Sequence, residues 1–275
     1  AFLTMDLDAK GYHDASHCLL TDYLEYRDDV EGLALLDLYR GYFAMVRAKV
    51  NLLRESKQHP HIAGTDAWQA FQSYLQLARQ YTRPRPVFLA ITRGVSGSGK
   101  STVAGRLVAA SGAVRLRSDV ERKRLVGLAP EQRSQPRDAA TLYSPAMHRK
   151  TIARLEALAA TALEAGFAVI VDATFLHREL RDTFRALARQ LAVPFVIIDC
   201  EVAPAELRRR LVERERLQQD ASEADVAVME QQLAIEQPLS GDELAYRLQA
   251  DSAEDQATLW RRFQQQLEGR GSVAQ

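Results

Sequence analysis

The chain has 275 residues, 47% of them apolar, which is material for one large domain or two ordinary ones with a sizeable core. Its 36 basic and 36 acidic side chains cancel to a formal charge of zero, arguing against a protein whose main business is coating nucleic acid or an anionic membrane. Two scattered cysteines, Cys18 and Cys200, are too few for a disulfide framework or a zinc site and fit a reducing cytoplasm. No apolar run approaches membrane-spanning length, and no basic region followed by an apolar core opens the chain.

Beginning at Ala1 inside an apolar segment, the sequence reads as a piece of a longer polypeptide. Residues 1 to about 82 read as all-helical. A helix over 14–26 carries Leu19, Leu20, Tyr23 and Leu24 at helical spacing. A longer amphipathic helix over 31–53 carries Leu35, Leu36, Leu38, Tyr39, Tyr42, Phe43 and Val46. Tyr23, Tyr26, Tyr39, Tyr42 and Phe43 read as helix packing rather than a stacking platform. A polar break over 56–64 contains His59-Pro60-His61, and a helix over 65–81 ends at Arg83-Pro84-Arg85-Pro86. Alternating prolines disfavour helix and stiffen the chain, so residues 83–86 read as a linker between a helical segment, 1–82, and a second domain, 87–275.

From Val87 the pattern changes to alternating strands and helices, the mark of an α/β fold with a parallel sheet. Strands are predicted at 87–92, 113–117, 168–172, 194–200 and, weakly, 246–250. Between the second and third lies a helical insert whose main helix starts at Ser144-Pro145, an N-cap followed by proline at the first helical position. It runs through Ile152, Leu155, Leu158 and Leu163 to Gly166.

Gly94-Val95-Ser96-Gly97-Ser98-Gly99-Lys100-Ser101-Thr102 is a complete Walker A loop between the first strand and a helix from Val103. In that setting the backbone N–H groups of a glycine-rich loop curl around a polyphosphate, and the helix N-terminus favours its charge. Lys100 reaches the β- and γ-phosphates of ATP, and the Ser101 hydroxyl is a ligand for Mg²⁺. The alternative is a chance glycine-rich turn, which average residue usage gives in roughly one chain in a hundred of this length.

In open α/β sheets ligands gather at the carboxyl ends of the strands, so the residues just past each strand are the ones expected to join the loop. After the second strand, Asp119 and Arg122 stand three apart at a helix start. Asp119 is placed to take the proton of an attacking hydroxyl and Arg122 to hold an anionic group; a plain N-cap and a solvated charge are the alternative. After the third, Val169-Ile170-Val171-Asp172-Ala173-Thr174 is an apolar strand ending in aspartate, with Asp172 a candidate for Mg²⁺, although strand-ending aspartates are also common as caps. After the fourth, Arg210 and Arg214 lie one turn apart on a helix over 205–216, and Asp220, Ser222 and Asp225 restart a second helix. That pattern reads as a lid closing on ATP, or as a surface helix whose arginines pair with Glu206, Glu213 and Glu215. His59, His61, His148 and His177 have no partner at metal-ligand spacing and read as structural or solvent-exposed.

From Val87 to Leu244 the chain resembles the P-loop kinases related to zeta toxin, polynucleotide kinase and gluconate kinase. The resemblance rests on Gly94–Thr102, Ser118-Asp119-Val120-Glu121-Arg122, Val169–Thr174 and the arginine-rich lid. It is nearest to kinase domains, often labelled AAA-family ATPase, that are fused behind an aminoglycoside-phosphotransferase-like domain. The resemblance implies a nucleoside-monophosphate-kinase-like sheet with a lid, ATP and Mg²⁺, phosphoryl transfer to a hydroxyl, Asp119 as base and lid arginines on the phosphates. It leaves the acceptor open. Residues 1–7 and 38–50 resemble the tail of the aminoglycoside phosphotransferase fold. No His-x-Asp catalytic loop occurs in the sequence, so no catalytic residue is carried over to that segment, and the rest of such a lobe is expected upstream in the same polypeptide.

Taken together, these features predict a cytoplasmic ATP-dependent kinase of a small-molecule hydroxyl acceptor, with Lys100, Asp119, Arg122, Arg210 and Arg214 in the chemistry. Gly94, Ser96, Gly97, Ser98, Gly99, Lys100, Ser101 and Thr102 hold the nucleotide, and Ser101 and Asp172 the metal. Neither nucleic acid nor membrane is expected as a partner. The alternatives are an ATP-binding regulatory module without an acceptor and a 5′-hydroxyl nucleic-acid kinase.

Overall fold

The computed structural model describes residues 1–56, 63–132, 141–142, 144–217 and 226–271. Its five parallel strands are β1 (Leu89–Arg93), β2 (Val114–Arg117), β3 (Val169–Asp172), β4 (Phe195–Asp199) and β5 (Arg247–Gln249), in the order β2-β3-β1-β4-β5. Each falls on a predicted segment, including the weakest at 246–250. The helices are α1 (Phe2–Ala9), α2 (His13–Arg27), α3 (Leu33–Ser56), α4 (Asp66–Gln80), α5 (Lys100–Ser111), α6 (Ser118–Arg124), α7 (Pro145–Glu164), α8 (Arg178–Gln190), α9 (Pro204–Leu217), α10 (Val226–Ile235), α11 (Gly241–Leu244) and α12 (Gln256–Gly271).

The sheet is covered on both faces, which is why β1 and β4 are buried along their whole length and read as continuous apolar runs. Side chains alternate across it. Leu89 and Ile91 join Val169, Val171 and Phe195 beneath α7 and α8, where Leu155, Leu163, Phe184 and Leu187 meet them. Phe88 and Ala90 join Ile170 and Val196 on the opposite face, against Val103 and Leu107 of α5 and Leu259 and Phe263 of α12. Leu89 stands opposite Val169 on one side and Phe195 on the other, the register that brings all the carboxyl ends to one edge. The start of α7 is built as its sequence predicts: the Ser144 hydroxyl accepts from the Met147 amide at 3.2 Å, and Pro145 takes the first helical position.

The helical segment precedes the sheet and is fastened to it. Leu20 and Leu24 of α2, with Val30 and Leu33 after it, enter the same core as Leu89 and Ile91. Polar ties run along the same seam. Arg115 Nε donates to the Glu25 carboxylate at 3.0 Å, Arg124 donates to the Glu25 carbonyl at 2.6 Å, and Arg154 grips both Asp28 oxygens at 2.6 Å. Between α4 and β1, Arg85 pairs with Asp37 and lies over the Phe167 ring, 4.1 Å from its centroid.

Helix α3 has the predicted period but buries a different face. Arg40, Ala44 and Ala48, at i, i+4 and i+8, turn inward, and Ala44 packs with Met5, Leu77 and Ala78. Small residues on that face let the neighbouring helices approach closely, which leaves the large ones outside. Tyr39 and Tyr42 are therefore exposed rather than packed as expected, Tyr23 and Tyr26 of α2 are exposed as well, and of the five aromatic residues Phe43 alone leans on a core cluster. His59-Pro60-His61 and the polar turn with Asp220, Ser222 and Asp225 lie outside the described residues. Among the described residues no helix is long and apolar enough to cross a membrane.

Candidate active site

Beyond β1 the chain turns through Gly94–Gly99 into α5. Gly94 has φ +138°, and a Cβ there would stand 2.5 Å from the Cys200 carbonyl oxygen, so only glycine fits between the loop and the end of β4. Gly99 has φ +88°, and a Cβ there would meet the Ser252 Cβ at 2.5 Å. Lys100, the first residue of α5, is buried and donates from Nζ to the Val95 carbonyl at 2.8 Å, which folds the ammonium back across its own loop.

Ser96, Gly97, Gly99, Lys100, Ser101 and Thr102 line a cleft of about 750 Å³. Gly94 and Ser98 lie beneath it as loop structure, and the buried Ser98 hydroxyl has no hydrogen-bond partner. The ends of β2 and β3 bring Arg117, Ser118, Asp119, Arg122, Asp172 and Thr174 to the same cleft. Arg122 donates to Asp119 at 2.7 Å, so the predicted pair does form. Asp172 is buried, its Oδ2 accepts no hydrogen bond, and Arg117 Nε stands 3.9 Å from that oxygen. A buried carboxylate oxygen left uncommitted beside a hydroxyl-bearing loop fits a hard divalent cation. Among the described residues no group of three or more His, Cys, Asp or Glu is placed to hold a metal; Asp172 and Ser101 line the same cleft.

On the other side α9 and α10 sit against the loop. Leu207, Leu211 and Met229 pack on Val95 and Leu176. Arg210 lines the cleft and donates to the Ser252 hydroxyl at 3.0 Å and to Glu206 at 2.8 Å. Bonds from Arg209 and Arg210 hold the Glu206 carboxyl down at about 2. The pairing of this helix's arginines with glutamates is seen for Arg209, engaged by Glu206 and Glu213 at the surface, and for Arg210, which pairs with Glu206 and also lines the cleft. The Arg214 side chain lies outside the described residues.

Two buried arginines tie the segments around β1 and β3 to those that follow α10. Arg93 donates to Asp199 at 2.6 Å and to Glu236 at 2.7 Å. Arg181 grips Glu243 through two bonds, 2.6 and 3.0 Å, and donates to the carbonyls of Phe175 and Leu176 at 3.1 Å each. Both ions of the second pair are 1% exposed.

Sequence reasoning missed four residues of the cleft. Ser252 and Gln232 come from the β5–α12 and lid segments, and Gln232 Oε1 accepts from the Ser96 amide at 2.7 Å. His148 and His177, read from sequence as structural or solvent-exposed, both line the cleft on the side of Asp119 and Arg122. Partial burial, then the charges of Arg122 and His177, hold the His148 imidazole below its usual range. The available signal was positional: His177 comes five residues after the carboxyl end of β3, and His148 lies in the first turn of α7.

Comparison with known proteins places this cleft in a family. The chain is 30% identical over 231 residues to uncharacterized protein Rv2004c of Mycobacterium tuberculosis and, to the same extent, to uncharacterized protein Mb2027c of Mycobacterium bovis. Those alignments take in 82% of this chain and 44% of each relative, so the chain spans less than half their length. Among solved structures, a candidate kinase from Chloroflexus aurantiacus has the same fold, with a TM-score of 0.51 and 20% identity over 68% of this chain and 98% of that one. A sugar kinase from Janibacter gives a TM-score of 0.49, with 21% identity over 69% of this chain and 99% of that one. The APS kinase of Mycobacterium tuberculosis, solved with AMPPNP and APS, gives 0.46, with 22% identity over 67% and 99%. Residues 89–239, just over half of the chain and the span from β1 to just past α10, match the AAA_33 model, described as an AAA domain, and the chain belongs to that family.

Proposed function

We propose that the protein is an ATP-dependent phosphotransferase that moves the γ-phosphate to a hydroxyl of a small-molecule acceptor. The observation that carries this reading is the convergence of Lys100, the Asp119–Arg122 pair and Asp172 on one cleft. A module that only bound ATP would have no need of a carboxylate and guanidinium opposite the phosphate loop. In this reading the loop amides and Lys100 hold the β- and γ-phosphates. Mg²⁺, held by Ser101 and Asp172, supplies neutralisation of phosphate charge. Asp119 takes the proton of the acceptor hydroxyl as its oxygen attacks the γ-phosphorus and the bond to ADP breaks, while Arg122 positions the acceptor. Arg210 and Arg214 close over the phosphates. The rate comes from positioning and charge neutralisation. The test is transfer from labelled ATP to a metabolite library: Lys100→Ala abolishes it, and Asp119→Asn keeps ATP binding and loses transfer. Normal transfer by Asp119→Asn would remove the base from the scheme.

We also propose that residues 87–275 are the kinase domain and that residues 1–82, joined through 83–86, are the tail of an aminoglycoside-phosphotransferase-like lobe whose remainder lies in the same polypeptide. Two observations support this. The relatives are more than twice as long as the stretch they share with the chain. In addition, α3 carries an exposed apolar stripe, Leu35, Leu38, Tyr42 and Met45 among it, with Leu38 68% exposed. The adjoining part of the polypeptide is its occupant in this proposal. A cytoplasmic setting agrees with Cys18 and Cys200 both being free thiols.

A further inference from the structure

The acceptor half of the cleft is unusually rich in groups that answer to an anion. α6 contributes Arg122 and Asp119, the β3–α8 connection His177, and the first turn of α7 His148. Arg122 is already bonded to Asp119 at 2.7 Å, and among the described residues neither imidazole is held by a hydrogen bond. Three chain segments separated by tens of residues thus bring two imidazoles and a guanidinium to one wall, with Leu176 and Leu180 as its apolar floor.

We propose that His148, His177 and Arg122 form an anion-reading subsite, so that the acceptor is a hydroxyl compound carrying a carboxylate or a phosphate. As an acceptor subsite it rests on the kinase reading above; as an anion site it stands on the cleft itself. Imidazolium and guanidinium N–H groups make charge-assisted bonds to carboxylate and phosphate oxygens, roughly twice as strong as neutral ones. Because Arg122 also holds Asp119, an anion bound here brings the rest of the molecule alongside the proposed base.

The electrostatics give the subsite a measurable signature. Partial burial, then the charges of Arg122 and His177, oppose protonation of His148. An anion reverses the balance, so binding draws a proton onto the wall and weakens as pH rises through the imidazole range.

The experiment uses the 275-residue chain with its loop saturated by Mg²⁺ and AMPPNP, so that added anions cannot occupy the phosphate cradle. Sodium sulfate and sodium acetate are titrated at constant ionic strength while the imidazole resonances are followed from pH 5 to 8. The expected result is that sulfate, acetate or both move the His148 titration upward by about one unit, and that His177→Gln weakens anion binding about tenfold. The anion effective at lower concentration distinguishes phosphate from carboxylate chemistry. Imidazole titrations indifferent to both anions would overturn the proposal. A parallel assay with glycerol, glycerate and glycerol 3-phosphate separates the two readings. Responsive imidazoles with no labelled product from any hydroxyl compound of the metabolite library would remove the kinase and keep the anion site. Equal transfer to neutral and anionic acceptors with unresponsive imidazoles would do the reverse.

Discussion

The Ser96 amide donates to Gln232 Oε1 at 2.7 Å, which ties α10 directly to the glycine-rich loop. One such bond contributes about 0.5–1.5 kcal/mol net. Beneath it, Leu207, Leu211 and Met229 seat the lid on Val95. Gln232→Ala is expected to loosen that seat and weaken ATP binding by about three- to tenfold, with little change in melting temperature. Calorimetry with AMPPNP and Mg²⁺ reads the effect. Tighter binding by the variant would show that Gln232 competes with a phosphate for the Ser96 amide.

Asp172 offers a second prediction in which stability and function part ways. Its Oδ2 is buried without a hydrogen bond, and the Arg117 guanidinium 3.9 Å away is too far to supply one, an arrangement that disfavours the folded apo protein. Asp172→Asn, which removes the charge but keeps the shape, is expected to raise the apo melting temperature by about 2–4 °C, equivalent to about 1 kcal/mol. The same variant is expected to lose most of the Mg²⁺ dependence of ATP binding, whereas ATP binding by the wild-type protein weakens when EDTA removes the metal. Scanning calorimetry and nucleotide titrations with and without Mg²⁺ check both halves. A variant that keeps its Mg²⁺ dependence would take Asp172 out of the metal site.

Much of this site was legible in the sequence because backbone physics fixes it. A strand, a loop with glycines at 94, 97 and 99, and a helix opening at Lys100 leave few alternatives. The strand-end rule then delivered Asp119, Arg122 and Asp172. The histidines were not legible for a different reason. His148 and His177 have no shared motif, and only the return of α7 over β2 and β3 brings them together. The exposed face of α3 failed for a third. Periodicity reports that a helix has an apolar face, yet here the helix has two, and packing chose the one with Ala44 and Ala48.

The buried Arg181–Glu243 pair makes the acid stability of the fold predictable. Burial alone would push the Glu243 carboxyl up; bonds from Arg181 and Ser240 outweigh it and hold the group at about 2. An unfolded glutamate titrates near 4.3, so this pair stabilises the fold fully above that pH and loses the contribution as pH falls toward 2, about 3 kcal/mol in all. Arg181→Met leaves a buried carboxylate without its partner and is expected to cost about 3–5 kcal/mol at neutral pH. Urea unfolding at pH 7 and pH 3 tests both statements: the wild type loses stability between them, and the variant loses less. An equal loss in both would mean the pair does not set the acid limit.

The α3 stripe separates packing within the chain from packing against what adjoins it. Leu38 and Tyr42 lie one turn apart and are 68% and 60% exposed, so their replacement removes little buried surface in the 275-residue chain, chiefly the edge contact of Tyr42 with Phe43. Leu38→Glu with Tyr42→Glu is therefore expected to change its unfolding free energy by no more than about 0.5 kcal/mol. In a longer polypeptide that covers the stripe, the same pair places two carboxylates in an apolar interface. There the cost rises to several kcal/mol, about the penalty for burying polar groups without partners. Melting curves of the short and long proteins, each with and without the substitutions, give the comparison. A concentration-dependent dimer of the short chain that the substitutions abolish would instead assign the stripe to a second copy, and equal, small effects in both lengths would leave it a solvent face.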